Sequence, residues 1–212
     1  MTRSTLHCGD AAVAALDAGN VDGFLGKAES NTQALDLVSQ NVRRLQDRGL
    51  YEAALLQALT TTRSNNATWS EQDLPMLVSF ADRDRFRAAG DPLPGAGPFT
   101  VYRGVAGRGR ARRVLGLSWT FSLPLAAWFA RRAKLLYGLP DPTVFRLTVP
   151  EAQVLAYAHQ GHRHEEELLV LCNRRDQPQR CLDGAELVAA AAAHDEAMRR
   201  DQEKRLARLR VR

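Results

Sequence analysis

The sequence predicts an α+β fold: a helical region over residues 1–90, a strand-rich core over 91–183 and a basic helix over 184–212. Three observations predict it. Apolar residues recur at helical spacing in the first region, a Gly- and Pro-rich run (GDPLPGAGP, residues 90–98) follows, and short β-favouring runs come next. Because helices and strands are segregated along the chain, an α+β arrangement is favoured over alternating βαβ units.

The N-terminal helices are predicted from apolar stripes. Residues 35–45 carry a stripe that predicts one helix, and residues 51–59 carry a second. A third helix is expected from residues 70–73 onwards, because Pro75 then falls in its first turn, where a missing N–H is tolerated. Its end at residues 82–85, Asp-Arg-Asp-Arg, is expected to be a solvated face.

Apolar and β-branched runs predict the strands of the core. They cover residues 99–105, 114–121, 143–149, 153–157 and 167–172. A short helix is expected over residues 125–136, and a long, Ala-rich helix with a basic end over residues 184–209.

The composition is that of an ordinary globular protein. The 212 residues are 45% apolar and 25% charged, which excludes a disordered or fibrous chain and suits one domain, or one with a helical extension. No apolar run reaches the roughly 20 residues that span a bilayer, so no membrane partner is expected. Asp10 interrupts the one apolar stretch near the N-terminus, so we expect no signal peptide and a cytoplasmic location.

The three cysteines, Cys8, Cys172 and Cys181, form neither an even disulfide framework nor a CxxC pair. We expect reduced thiols, as is usual in the cytosol. A disulfide between Cys172 and Cys181 is the alternative that the sequence leaves open.

The net charge of +5 is unevenly distributed. Residues 103–134 contain eight basic residues and no acidic one, and residues 197–212 contain seven basic and two acidic residues. The remainder of the chain is therefore acidic, with a net charge of −8. A basic tail taken alone would suit nucleic-acid binding.

Three short segments carry the candidate chemistry, since the motifs GxxxxGK[ST], HExxH and GxSxG are absent from the sequence. They are Tyr102-Arg103-Gly104-Val105, Gly116-Leu117-Ser118-Trp119-Thr120 and Glu165-Glu166-Glu167. Adjacent carboxylates repel one another, which costs stability unless the site is wet or functional. Glu165 and Glu167 share a strand face, where one carboxylate can stabilise a positive centre and the other can deprotonate a nucleophile. Taken alone, the run is better explained as a solvated strand end.

Taken together, the three segments resemble the Arg–Ser–Glu signature of mono-ADP-ribosyltransferases. That signature has an arginine on an early strand, Ser-x-Ser/Thr on a middle strand and Glu-x-Glu opening a late strand. This chain has YRG, SWT and EEE in that order, and residues 126–132 (AAWFARR) resemble the A-x-x-F-A-x-R helix of bacterial and phage-type members. The resemblance covers residues 99–172, and it departs from the pattern at Trp119, where many members have a smaller residue.

The resemblance implies a split two-sheet ADP-ribosyltransferase core that takes NAD as a substrate and needs no metal. The implied NAD-binding residues are Arg103, Gly104, Ser118, Trp119, Thr120, Phe129, Arg132 and Glu167, and the implied catalytic residues are Glu167, Glu165, Ser118 and Arg103. Arg103 would bind a phosphate or ribose of NAD, and Glu167 would bind the ribose 2′-OH and stabilise the oxocarbenium ion as nicotinamide leaves. Glu165 would activate the acceptor, and Glu166 would replace Glu167 if the strand bulges.

The implied activity is transfer of ADP-ribose from NAD to a macromolecular acceptor, with a protein arginine favoured. Such a protein would be a bacterial or phage-associated toxin or effector, with an antitoxin as a candidate partner. The pyrophosphate of NAD then accounts for part of the basic window at residues 103–134. RNA or DNA as the acceptor, NAD hydrolysis, and a basic nucleic-acid-binding or partner-binding module without enzymatic activity are the alternatives.

A histidine-rich run precedes the glutamates. His159, His162 and His164 with Glu165 form H-x2-H-x-H-E, a set of side chains that suits zinc. The resemblance places the run in the loop where family members contact their targets. Acceptor recognition or plain solvation is therefore favoured, and no metal is expected.

Overall fold

The structure, a computed structural model, describes residues 10–28, 33–61, 69, 73–159, 166–173 and 175–210. It has an α+β fold, as the sequence predicts. The helices are α1 (Asp10–Asp17), α2 (Val21–Leu25), α3 (Ala34–Gln40), α4 (Val42–Asp47), α5 (Tyr51–Thr61), α6 (Asp73–Ser79), α7 (Arg83–Ala88), α8 (Leu123–Tyr137) and α9 (Gly184–Arg210). The strands are β1 (Phe99–Val105), β2 (Ser118–Thr120), β3 (Thr143–Val149), β4 (Val154–Ala158), β5 (Glu167–Val170) and β6 (Gln179–Leu182).

The chain divides into two compact units. The first spans Met1–Pro94 and Leu155–Glu165, and the second spans Gly95–Val154 and Glu166–Arg212. The division into residues 1–90, 91–183 and 184–212 stays a prediction.

The first unit contains the N-terminal helices, and one of them is interrupted. The single helix predicted over residues 35–45 is wrong, because Asn41 separates α3 from α4. The backbone of Asn41 (φ −118°, ψ 21°) is not helical, and its buried side-chain amide donates to the carbonyl of Leu37 at 2.9 Å. A local bond of this kind competes with the helical hydrogen bonds.

Residues 82–85 are exposed, as predicted, but they begin a helix of their own. Asp82 is the N-cap of α7, and its Oδ1 accepts a hydrogen bond from the backbone N of Arg85 at 2.9 Å. The backbone N of Asp82 donates to Oε1 of Glu52 at 3.0 Å. This buried carboxylate on α5 therefore holds the start of α7 in place.

The strands form one sheet in the order β4-β5-β2-β1-β3-β6. The pairs β1–β2, β1–β3, β2–β5 and β3–β6 are antiparallel. β2 is shorter than the strand predicted over residues 114–121, and β6 was not predicted from the sequence.

Pairing along β1 differs on its two sides. β1 pairs with β3 at seven successive positions, from Phe99–Val149 to Val105–Thr143. Between the described residues of β1 and β2, one pair is formed, Tyr102–Thr120. We call this junction of β1 and β2 the seam. It joins two parts of the sheet that are each more extensively paired.

Helix α8 lies directly on the sheet at Gly104 of β1. A Cβ atom at Gly104 would lie 1.7 Å from the backbone oxygen of Ala126 and 2.8 Å from the backbone N of Ala130. Only glycine permits this close approach of helix and strand. The buried side chains around it come from α8, β3 and α9: Ala126, Ala127, Ala130, Val144, Leu187 and Ala191.

Helix α9 packs on α8 through its first half, and residues 195–208 are exposed. Arg131 of α8 forms an ion pair with Asp195 of α9. Further along, α9 forms ion pairs within itself, Arg200–Glu196 and Arg205–Asp201. Within the described parts of the chain, neither this helix nor another is long and apolar enough to cross a membrane.

Candidate functional site

The three candidate segments lie on neighbouring strands. Arg103 is on β1, Ser118 and Thr120 are on β2, and Glu167 opens β5, in the spatial order β1-β2-β5. The segments are separated by long stretches of chain, so the sheet topology is what brings them together. Arg103 and Ser118 lie on the two strands of the seam, and Glu167 lies on β5, the strand next to β2.

A row of paired residues crosses these strands. Tyr102 lies opposite Thr120, and Thr120 lies opposite Glu167. Directly paired residues point to the same face of a sheet, so the hydroxyl of Thr120 and the half-buried carboxylate of Glu167 are neighbours. Because three successive residues of β5 pair with β2 in register, Glu167 takes this position and Glu166 precedes the strand.

Thr120 also contributes to the start of α8. Its Oγ1 accepts a hydrogen bond from the backbone N of Ser122 at 3.1 Å. The hydroxyl of Ser122, the N-cap, accepts from the backbone N of Leu125 at 3.2 Å. The first turn of α8 is therefore fixed to the strand that carries the Ser-Trp-Thr segment.

The guanidinium of Arg103 bridges the seam. Its Nε donates to the carbonyl of Arg113 at 3.1 Å, and its Nη1 donates to the carbonyl of Ser118. The side chain is half-buried. Because residues alternate along a strand, Arg103 and Trp119 lie on the face opposite to Tyr102 and Thr120. Arg103 thus places a permanent positive charge between β1 and β2.

Trp119 is a core residue that also orders the loop before β2. It is 1% exposed, and its Nε1 donates to the carbonyl of Gly116 at 2.9 Å. Trp119 therefore packs inside the unit as a core residue.

Cys172 is a neighbour of Arg103 and Trp119 that the sequence did not indicate. Burial, and secondarily Asp176, raises the pKa of the thiol to about 11, although Arg103 and a hydrogen bond with Trp119 act in the opposite direction. At neutral pH the thiol is protonated and is not an activated nucleophile. Cys172 and Cys181 are both free, so the described chain has no disulfide between them.

Two more candidate residues lie on α8. Phe129 packs edge-to-face against Trp128, with ring centroids 5.1 Å apart, and the guanidinium of Arg132 lies 5.0 Å from the centre of the same indole ring. Phe129 is half-buried and Arg132 is exposed. Trp128 thus packs against both side chains. Gly104, another candidate NAD-binding residue, lies against the backbone of α8.

Glu165, His162 and His164 lie outside the described residues. His159 is described: its backbone N donates to Oδ2 of Asp91 at 2.6 Å, and its ring stacks on Tyr157 with centroids 5.9 Å apart. Among the residues that the structure describes, no group of three or more His, Cys, Asp or Glu could hold a metal ion.

Part of the basic window is neutralised within the protein. Arg108 forms an ion pair with Asp141, and Arg112 donates to the carbonyls of Gly107 and Asp141 at 2.8 and 3.2 Å. The hydrogen bond from Arg108 lowers the pKa of Asp141. Some of the arginines before β2 therefore build the loop instead of forming an open basic patch.

The half-buried carboxylate of Glu167 and the hydroxyl of Thr120 share one face of the sheet, and the guanidinium of Arg103 reaches the seam from the opposite face. The carboxylate can stabilise a developing cation, and the guanidinium can bind an anion. No protein-family model, curated protein or solved structure matches this chain.

Proposed function

We propose that the protein is an NAD-dependent mono-ADP-ribosyltransferase. The observation that carries the proposal is the adjacency of the three motif strands in the order β1-β2-β5, with Thr120 opposite Glu167. A solvated strand end would not require the arginine, hydroxyl and carboxylate segments to lie on adjacent strands. The single pair at the seam suits the split two-sheet core that the resemblance implies.

NAD would bind along the seam. The guanidinium of Arg103, which reaches the seam from the face opposite to Glu167, would attract the pyrophosphate, and this would account for part of the basic, acid-free window. Phe129 would pack on the nicotinamide ring, and Arg132, one turn further along α8, would reach a phosphate. Ser118 and Thr120 would orient the nicotinamide ribose and Glu167. Gly104 and Trp119 would shape the site through packing.

The chemistry would begin with cleavage of the bond between C1′ of the ribose and the nicotinamide nitrogen. The bonding pair leaves with nicotinamide, which departs neutral, and positive charge develops on the ribose. Glu167 would stabilise this charge and hold the 2′-OH. The acceptor nitrogen then bonds to C1′, and its proton passes to Glu165.

The favoured acceptor is a protein arginine, because a carboxylate at Glu165 suits the deprotonation of a guanidinium as it attacks. The resemblance to bacterial and phage-type members suggests a toxin or effector that a cognate antitoxin would restrain. RNA or DNA as the acceptor is separated from this by treating the labelled product with nuclease or protease.

The first prediction is that Glu167→Gln abolishes transfer of label from NAD while the protein stays folded. The amide keeps the shape of the side chain but removes the negative charge that stabilises the oxocarbenium ion, so we expect a loss of at least about 10³-fold in kcat. The measurements are the release of nicotinamide and the incorporation of label from labelled NAD into the macromolecules of a cell lysate.

The matched control is Glu166→Gln, which makes the same chemical change one residue earlier, before β5 begins. It should keep most of the activity. If Glu166→Gln is inactive and Glu167→Gln is active, the catalytic role moves to Glu166. If the unmodified protein neither binds nor turns over NAD, and binds nucleic acid with a steep salt dependence, the non-enzymatic alternative replaces the proposal.

A further inference from the structure

The guanidinium of Arg103 lies directly over the Cα of Gly116. A Cβ at residue 116 would lie 2.2 Å from Nη2 of Arg103, 2.5 Å from its Cζ and 3.1 Å from its Nε. The guanidinium is held there by the carbonyls of Arg113 and Ser118, which lie on either side of Gly116 in the chain. An alanine at this position would therefore displace the charged group.

The backbone of Gly116 does not itself require glycine. Its φ is not in the left-handed region, unlike that of Gly107 or Gly109. Glycine is required at this position because the Arg103 guanidinium occupies the space that a Cβ atom would take. Trp119 also fixes the backbone of Gly116, because its Nε1 donates a hydrogen bond to the carbonyl of Gly116. The loop before β2 is thus fixed between a buried indole and a half-buried arginine.

We propose that Gly116 is a positioning residue: its bare Cα sets the place of the Arg103 guanidinium at the seam, and thereby the affinity for the pyrophosphate of NAD. The functional part of this inference rests on the proposed function. An added methyl group meets the flexible end of a side chain, so the fold can adjust by moving the guanidinium. The moved charge then no longer faces the position where the phosphates bind.

The test combines Gly116→Ala with Arg103→Lys in a double-mutant cycle. Lysine lacks the planar fork that occupies the space over residue 116, so the clash between the methyl group and the guanidinium is absent in that background. We expect Gly116→Ala alone to raise KM for NAD roughly tenfold or more with little change in kcat, because phosphate contacts contribute equally to ground and transition states. In the Arg103→Lys background it should cause no further change.

Gly95→Ala is the matched control, because a Cβ at Gly95 would meet nothing within 4 Å. It should leave KM, kcat and the melting temperature unchanged. The melting temperature of the four proteins of the cycle is measured without NAD, so the coupling between residues 103 and 116 is tested independently of any activity.

The outcomes separate the two proposals. Equal effects of Gly116→Ala on KM in both backgrounds, or melting temperatures that are simply additive, would overturn the positioning role while leaving the transferase proposal intact. Coupled melting temperatures in a protein that does not bind NAD would remove the proposed function and, with it, the functional part of this inference.

Discussion

Gly104 and Gly116 are both glycines at the seam, but they are needed for different reasons. At Gly104 an added Cβ would meet the backbone of α8, and at Gly116 it would meet the end of the Arg103 side chain. Backbone in a packed helix cannot move away without disturbing the core, whereas a guanidinium can rotate. One site therefore controls stability, and the other controls where a charge lies.

We predict that Gly104→Ala destabilises the fold by about 3 kcal/mol, because the methyl group overpacks the contact between β1 and α8. Chemical denaturation measures the change in the free energy of unfolding. Gly95→Ala, in open space, should change it by less than about 0.5 kcal/mol. A stable Gly104→Ala variant would mean that α8 does not lie against the strand.

Residue identity alone predicted the candidate carboxylate and arginine but not their surroundings. The Ser-Trp-Thr sequence is compatible with Trp119 either lining a pocket or packing in the core, and the structure shows that it is buried in the core. Cys172 carried no signal, because its closeness to Arg103 arises only when β5 pairs with β2. Contacts made by strand pairing are not visible in local sequence.

Elements with a strong period were predictable, and those set by tertiary contacts were not. The stripe at residues 51–59 became α5, and the alternation at residues 143–149 became β3. β6 lies at the sheet edge with two of its four residues exposed, and its sequence, QRCL, lacks the apolar alternation that marks a strand. The interruption at Asn41 depends on a side-chain bond to Leu37 that periodicity does not reveal.

At the level of elements, the ion pair between Arg131 of α8 and Asp195 of α9 makes helix docking depend on pH. The hydrogen bond from Arg131 lowers the pKa of Asp195 below its ordinary 3.8. A lowered pKa in the folded state means that the ion pair stabilises the fold above the unfolded-state value. This contribution is lost as the pH falls through the lower, folded-state pKa.

We therefore predict that Asp195→Asn lowers the free energy of unfolding at neutral pH by about 0.5 kcal/mol, a small value because both side chains are partly solvated. The difference from the unmodified protein should shrink between neutral and strongly acidic pH, as the pH falls through the lowered pKa of Asp195 and the carboxyl becomes protonated. Urea denaturation at the two pH values measures it. Asp201→Asn is the control, since its partner Arg205 lies on the same helix; an equal deficit at both pH values would contradict the prediction.

For the whole molecule, the sheet has one extensive junction, between β1 and β3, and one sparse junction at the seam. Hydrogen bonds that are part of a long ladder open together with the core, and isolated ones open locally. The proposed NAD site thus lies where a single residue pair joins β1 to β2.

We predict that amides of β1 and β3 exchange most slowly with solvent and that residues 112–117 exchange faster. Bound NAD should slow exchange at residues 113–120 and leave the edge strand β6 unchanged, because the ligand would cross the seam. Hydrogen–deuterium exchange with mass spectrometry, with and without NAD, gives both results. Slowing spread uniformly over the second unit would argue against binding at the seam.

The half-buried thiol of Cys172 gives the protein an internal reporter for this region. A thiol with a pKa of about 11 reacts slowly with alkylating reagents at neutral pH, since very little of it is thiolate. Its reactivity would rise when the packing around Trp119 opens. Cys181, also free and with its pKa raised by burial, lies on β6 at the far edge of the sheet. The ratio of the alkylation rates of Cys172 and Cys181 therefore distinguishes local opening at the seam from unfolding of the whole sheet, and no cysteine needs to be introduced.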